Sequence, residues 1–228
     1  MKIGILYICT GTYKQFWKKF YETCEKYFLK DFKKKYFVFT DSDNIEYGGQ
    51  KNVKIIRIKH EHWPNITLLR FRLFLTEENE LRKQDYVFFC NSNLEFLGEV
   101  LPHSLLPSKE ECLVCYQYWI YRNMPNSSFP YERRKESLAY IPYGYGKYYV
   151  QGGFYGGTSK NFIEMARVLN RLTNLSIFNR ITPIWHDESF LNKYILDKKI
   201  KLIKPYSDNY ELLHFRSKHI YKIFQKGK

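Results

Sequence analysis

The chain reads as an α/β protein, an open sheet of mainly parallel strands with helices flanking both faces. Three observations predict this. Short runs of β-branched and aromatic residues alternate with segments whose apolar residues recur at helical spacing, in the order strand, helix, strand, strand, helix, strand. The apolar run 86–90 ends in the polar triplet Asn91-Ser92-Asn93, and the carboxyl ends of strands form the crevice in which open α/β sheets hold ligands. The 228 residues suffice for one sizeable core and contain no obvious linker, so a single domain is expected.

The elements follow in chain order. Residues 2–9 form the first strand, and Phe16, Phe20, Cys24, Tyr27 and Phe28 mark a helix over 12–29. A second strand over 35–39 ends in Thr40-Asp41, and a third covers 53–58. Between them Asp43-Asn44 and Gly48-Gly49 are turn residues. Leu69, Leu73 and Phe74 share one face of a helix over 65–82, which feeds the strand 86–90. Pro102, Pro107, Pro125, Pro130 and Pro142 then punctuate long loops around a strand at 112–118, and loops of that length serve as binding elements or lids. Residues 148–157 are rich in glycine, which lets a backbone approach a ligand closely, although turn geometry alone also explains them. An amphipathic helix over 159–175 follows, and the chain closes in a basic tail.

Composition is globular, with 44% hydrophobic and 26% charged residues; the unusual figure is 19% aromatic, with 21 Tyr. That surplus exceeds what a core requires and places some rings at a polar, carbohydrate-like groove, with most filling the layer beneath the surface. The formal charge of +14 suits a nucleic acid, an anionic membrane surface or a polyanionic small molecule such as a nucleoside diphosphate, and composition does not choose among them. No nucleic-acid-binding signature is visible, so a basic binding module for nucleic acid or membrane is the rival reading rather than the leading one. No segment reaches membrane-spanning length, which leaves peripheral membrane contact open. Five cysteines make no even framework and point to reduced thiols in the cytoplasm. Cys112 and Cys115 have metal-like spacing without a second pair, and His60 and His62 have no further partners, so no metal site is expected.

A second polar cluster, Trp185-His186-Asp187-Glu188-Ser189, puts an aromatic ring, an imidazole and two adjacent carboxylates at a helix start. Carboxylates can act as base, nucleophile or oxocarbenium stabiliser, and an indole face stacks on a pyranose. With the carboxamides of Asn91 and Asn93, this suggests sugar chemistry. The plain alternatives are that Asn91 and Asn93 cap a turn and that Asp187 and Glu188 only favour the helix dipole.

Four blocks carry a resemblance: Tyr131-Glu132-Arg133-Arg134 with Ser137; Ala139-Tyr140-Ile141-Pro142; Gly152-Gly153-Phe154 with Gly156-Gly157; and Trp185 to Ser189 with Leu191-Asn192-Lys193-Tyr194. In this order they resemble glycosyltransferase family 6, the retaining enzymes that include the histo-blood-group A and B transferases. The resemblance extends to about residue 210, and the short architecture without an anchor looks like the family's bacterial branch.

The resemblance implies a GT-A type nucleotide-binding sheet, with residues of about 1–93 as the nucleotide-binding half, about 94–210 as the donor-sugar and acceptor half, and 211–228 as the basic tail. It implies a UDP-sugar donor and an α-1,3 product formed with retention. Asn91-Ser92-Asn93 stands where the animal enzymes carry an Asp-x-Asp that holds a divalent ion on the diphosphate. Neutral carboxamides are poor ligands for a hard cation, so no metal cofactor is expected. Cationic side chains would then neutralise the departing UDP, with Arg70 foremost and Lys218 and Lys222 behind it.

By position, the resemblance assigns Ile8, Thr10 and Tyr13 to the uridine pocket, and Gln151, Gly152 and Gly153 to the stretch that discriminates donor sugars. Gly153 leaves room for an N-acetyl group, which favours UDP-N-acetylgalactosamine over UDP-galactose. Gln117, Trp119 and Trp185 fall at acceptor positions, with Pro130 replacing a hydroxyl contact, and the implied acceptor is a fucosylated galactose. Asp187 is implied to bind the donor sugar. Glu188 is implied to be the carboxylate facing C1, in contact with the acceptor as well, either as nucleophile or as stabiliser of front-side attack.

Overall fold

The computed structural model describes residues 1–204, except for the side chain of Trp119. Tail residues Lys218 and Lys222 lie outside the described residues.

The strands are β1 (Lys2–Ile8), β2 (Lys33–Thr40), β3 (Val53–Arg57), β4 (Tyr86–Cys90), β5 (Val114–Gln117), β6 (Val150–Thr158) and β7 (Lys201–Ile203). They form one sheet in the order β3-β2-β1-β4-β6-β5-β7. β1 to β4 are mutually parallel, β6 runs antiparallel to both β4 and β5, and β5 pairs parallel with β7. The predicted mainly parallel α/β sheet is therefore present. The chain leaves β1 toward β2 and β3 on one side and returns to β4 on the other. A switch of strand order thus falls between β1 and β4, the place where such sheets open a crevice at their carboxyl ends.

Alternation along the strands sorts their side chains between two cores. Tyr7, Tyr36, Val38, Phe88 and Cys90 face α1 (Trp17–Tyr27), whose Trp17, Phe20 and Cys24 are buried against them. Leu6, Phe37, Phe39, Val87 and Phe89 face the other way, toward the short helices α2 (Asn65–Leu68), α3 (Arg70–Leu75) and α4 (Glu78–Leu81) and the C-terminal helices introduced below. Aromatic contacts dominate both layers: Tyr7 lies 4.4 Å from Phe20 on one face, and Phe74 5.3 Å from Phe89 on the other. Each such ring stabilises the fold by roughly 1.5–3 kcal/mol through burial alone.

Several elements depart from the sequence expectation. The helix expected over 12–29 starts instead as a 3-10 turn, Gly11–Phe16, before α1. Gly11, at φ +56°, donates its N–H to both carboxylate oxygens of Asp41 at 3.0 and 3.1 Å, which ties the ends of β1 and β2 together and forces a tighter start. The helix expected over 65–82 is three pieces, because Leu69 and Glu77 leave the helical region at ψ 4° and 13°. Thr67 and Thr76 return their hydroxyls to the carbonyls of Pro64 and Leu73, the local competition that weakens helix interiors.

Beyond β4, a short helix α5 (Pro102–Leu105) precedes β5. The glycine-rich segment is strand β6, buried at the middle of the sheet. Thr158 caps the helix that follows, α6 (Ser159–Phe178), by accepting from the Asn161 N–H at 3.3 Å. The last helix among the described residues, α7 (His186–Tyr194), begins at the predicted Trp185-His186-Asp187-Glu188 cluster. β7 was not expected; three residues are too few to show a period.

Candidate active site

β6 runs antiparallel to β4, so its first residues meet the last residues of β4. Cys90 pairs with Phe154, and the Asn91 N–H donates to the Gly153 carbonyl at 2.8 Å. Gln151, Gly152 and Gly153 therefore stand beside Asn91 at the mouth of the sheet. α7 brings Asp187 and Glu188 against the other side of Gly152: a Cβ on that glycine would sit 3.2 Å from Asp187 Oδ2 and 3.4 Å from Glu188 Oε2. Between these segments opens a cavity of about 450 Å³.

Ten of the residues singled out from sequence line it: Arg70, Asn91, Pro130, Gln151, Gly152, Gly153, Trp185, His186, Asp187 and Glu188. Ile8, Thr10 and Tyr13 do not. They cluster at the carboxyl end of β1, where Thr10 is buried, Ile8 is half-buried, and the half-buried Tyr13 ring packs edge-on against Phe16. Asn93 is also absent from the lining; its Oδ1 accepts from Asn91 Nδ2 at 2.9 Å. Gln117, buried at the end of β5, is also absent from the lining, and its Oε1 has no hydrogen-bond partner among the described residues. Trp119 begins a 3-10 turn.

The centre of the site is ionic. Arg70 opens α3, and its buried guanidinium lies 3.0 Å from Asp187 Oδ2, donates to the Gly152 carbonyl at 2.7 Å and stacks 4.6 Å over the Phe89 ring. The helical break at Leu69 immediately precedes this side chain. Glu188 is held at both oxygens: Tyr149 Oη donates to Oε1 at 2.5 Å and the Gly152 N–H to Oε2 at 2.6 Å. Asn192, one turn later on α7, donates to the Glu188 carbonyl and clasps the backbone of Val150. The sharp entry to α7 places His186 at φ +48°, a left-handed conformation that non-glycine residues rarely adopt and that clusters at functional sites.

Burial raises the pKa of both carboxyl groups. Asp187 is pushed up to about 7 by burial; Arg70 pulls it down and Glu188 pushes it further up. Glu188 is raised by burial, against the hydrogen bonds of Tyr149 and the Gly152 N–H and the charge of Arg70. Burial would lower Arg70, but Asp187, Tyr155 and Glu188 outweigh it, so it stays firmly charged. His186 is lowered by burial and by Arg70, which favours neutral imidazole. Two carboxyl groups thus share one guanidinium, in a wall able to stabilise positive charge developing in the cavity.

Sequence reasoning missed Tyr149, Trp63, Tyr118 and Tyr121 as cavity residues. Tyr149 carried a signal, since it precedes Gln151 by two residues and strand period puts such positions on one face. Trp63, whose ring meets His186 edge-on at 4.9 Å, carried none because the chain brings it there from a distant loop.

Asn91 and Asn93 offer neutral carboxamides, and among the described residues no group of three or more His, Cys, Asp or Glu is placed to hold a metal. Nor is any helix among the described residues long and apolar enough to cross a membrane.

Comparison with known proteins agrees with this geometry. The model of "Glycosyltransferase family 6" matches residues 1–222. An Escherichia coli protein, O-antigen biosynthesis glycosyltransferase WbnI, is 38% identical over 208 residues, covering 91% of this chain and 88% of the relative. The chicken globoside alpha-1,3-N-acetylgalactosaminyltransferase 1 is 29% identical over 90% of this chain, and the rat histo-blood group ABO system transferase 2 is 28% identical over 89%. The chain spans 61% and 62% of the length of these two animal relatives. With a match along nearly its whole length, and with paired carboxylates at the carboxyl end of an open sheet, the chain belongs to glycosyltransferase family 6, and its seven-stranded α/β sheet is the GT-A-like fold of that family.

Proposed function

We propose that the protein transfers N-acetylgalactosamine from UDP-N-acetylgalactosamine to O3 of a fucosylated galactose, with retention, in α-1,3 linkage and without a metal ion. The observation that carries this reading is the Glu188 carboxylate, fixed at both oxygens on the wall of the sheet-end cavity beside Asp187, Arg70 and the Gly152-Gly153 strand. A carboxylate held this way stabilises positive charge at C1 as the diphosphate departs, whether by bonding to C1 or by facing it during front-side attack.

In this reading uridine sits over Ile8, Thr10 and Tyr13, and the diphosphate meets Asn91 and Asn93. Asp187 orients the donor sugar, and Gln117, Trp119 and Trp185 receive the acceptor. Arg70 shares its charge with Asp187, so it offsets the leaving group only in part. Lys218 and Lys222 are the proposed supplement. Support for the donor comes from the chicken relative, named for α-1,3-N-acetylgalactosamine transfer. The O-antigen name of the E. coli relative supports a surface-glycan acceptor, and the five free cysteines support a reducing, cytoplasmic setting. UDP-galactose is the second reading, and the room left by Gly153 is what favours the N-acetylated donor over it.

The test is an assay of the purified protein with UDP-N-acetylgalactosamine, UDP-galactose and a 2'-fucosylgalactoside in excess EDTA. The expected outcome is α-1,3-linked product with the N-acetylated donor preferred and undiminished turnover under chelation. Loss of turnover in EDTA with restoration by Mn²⁺ would refute metal independence, and preference for UDP-galactose would replace the donor.

A further inference from the structure

We infer that Tyr149 is the positioning residue of Glu188, holding its carboxylate by one phenolic hydrogen bond in the orientation that faces the donor sugar. The inference rests on the proposed role of Glu188.

The aromatic surplus of the sequence finds a purpose here. The Tyr149 ring is enclosed by Tyr121, Tyr131, Tyr118 and Phe129, with centroids at 5.2, 5.6, 6.4 and 6.5 Å. Its backbone is pinned from three sides: Tyr118 N–H donates to the Tyr149 carbonyl, Tyr131 Oη to the Tyr148 carbonyl, and Asn192 brackets Val150 with two bonds. A ring caged this way has one place for its hydroxyl, and that place is 2.5 Å from Glu188 Oε1. The phenol stays protonated, because burial and the adjacent Glu188 raise its pKa, so it is a donor and the carboxylate the acceptor. Since Asn192 also bonds the Glu188 carbonyl, the start of β6 and the first turn of α7 close into one ring of hydrogen bonds around the carboxylate.

The consequence is chemical as well as geometric. Glu188 sits where burial favours its neutral form, and the groups that act against burial are Tyr149, the Gly152 N–H and Arg70; Asp187 is the like-charged neighbour and His186 the adjacent imidazole. Tyr149 acts most strongly among these offsets. Removing its hydroxyl leaves the carboxylate both freer to rotate and harder to ionise. A buried tyrosine that merely needed some acceptor for its hydroxyl would change neither the ionisation nor the turnover of the enzyme when replaced by phenylalanine.

The experiment is steady-state kinetics of Tyr149→Phe against pH with the donor and acceptor named above. Phenylalanine keeps the ring in its cage, so the fold is retained. The expected result is kcat lower by about ten- to a hundredfold, the scale of one hydrogen bond to a charged group, with donor KM changed less than about threefold. The acidic limb of the kcat profile should move to higher pH. A wild-type kcat and an unmoved limb would overturn the inference. Replacing Tyr149 by 3,5-difluorotyrosine keeps the shape and strengthens the donor, so the limb should move to lower pH; an unmoved limb there also counts against it. Glu188→Gln separates the two levels of argument. Wild-type turnover in that variant would remove the parent reading. A loss in Glu188→Gln, with Tyr149→Phe costing the same factor in both backgrounds, would leave Glu188 in place and reject Tyr149 as its holder.

Discussion

An alanine methyl at Gly153 would lie 3.7 Å from Gln151 Oε1 and 3.8 Å from Asn91 Cβ, ordinary contact distances that the fold accepts without adjustment. The same methyl would occupy cavity space, since Gly153, Gln151 and Asn91 all line it. Gly153→Ala is therefore a change in substrate room with little change in stability. If the N-acetyl group of the donor lies over this position, kcat/KM for UDP-N-acetylgalactosamine relative to UDP-galactose should fall by about ten- to a hundredfold, the effect of one methyl-sized overlap worth about 1–3 kcal/mol. Competition between the two donors in one reaction measures the ratio directly. An unaltered ratio would place the acetamido group elsewhere. Gly152 is different, because a methyl there presses on the carboxylates of Asp187 and Glu188 rather than on the sugar.

At the scale of elements, β6 has to be glycine for the sheet's sake three residues further on. A Cβ at Gly156 would fall 2.1 Å from Phe88 Cδ1 and 2.6 Å from the Val87 carbonyl, and neither a buried ring nor backbone yields cheaply. Gly156→Ala should cost at least about 2 kcal/mol of stability, read from the urea midpoint, through overpacking at the β4–β6 pair. A midpoint within experimental error of the wild type would show that β6 can shift away from β4. This strand also marks where sequence reading stopped. Glycine has low strand propensity, so residues 148–157 read only as a glycine-rich segment able to approach a ligand closely, and nothing local shows that they pair antiparallel between β4 and β5. The hydrophobic runs 2–9, 35–39 and 86–90 were legible because side-chain alternation is a local property. Legible too was the start of α7, where Asp187 and Glu188 occupy the first turn. The division of 65–82 into three helices was not, since Leu69 and Glu77 are ordinary helix formers whose conformation is imposed by tertiary contacts, including the reach of Arg70 to Gly152. Trp63 enters the site only through the fold, whereas strand period from Gln151 already pointed to Tyr149.

Over the whole molecule, two populations of carboxylates pull stability in opposite directions as pH changes. At the surface, Glu80 is lowered to about 2 by hydrogen bonds from Lys35 and Lys83, and Glu78 is lowered by Arg82 and Arg167 against the opposing effect of burial. Groups lowered on folding stabilise above their unfolded pKa, so their contribution is constant above about pH 5 and is lost in acid, where the formal charge of +14 also grows. In the cavity, Asp187 and Glu188 are raised. The folded state then keeps a proton that the unfolded chain has released, and stability falls as pH rises from the unfolded carboxyl range toward the folded value, about 7 for Asp187. Each pH unit over which one such proton is retained costs up to about 1.4 kcal/mol. His186, lowered and half-buried, acts with the opposite sign over part of that range, since it gains stability as pH rises to its unfolded value, and solvent screening weakens it. The carboxyl pair is the more deeply buried, so the melting temperature should decline between pH 5 and pH 7 at constant ionic strength. In Glu188→Gln that decline should be shallower, because one of the two raised groups no longer titrates and the repulsion that helps raise Asp187 is gone. Thermal melts of the two proteins across the window decide it: equal slopes would mean that the pair does not govern the pH dependence, and a wild-type melting temperature that rose with pH would mean that His186 or the surface outweighs the cavity.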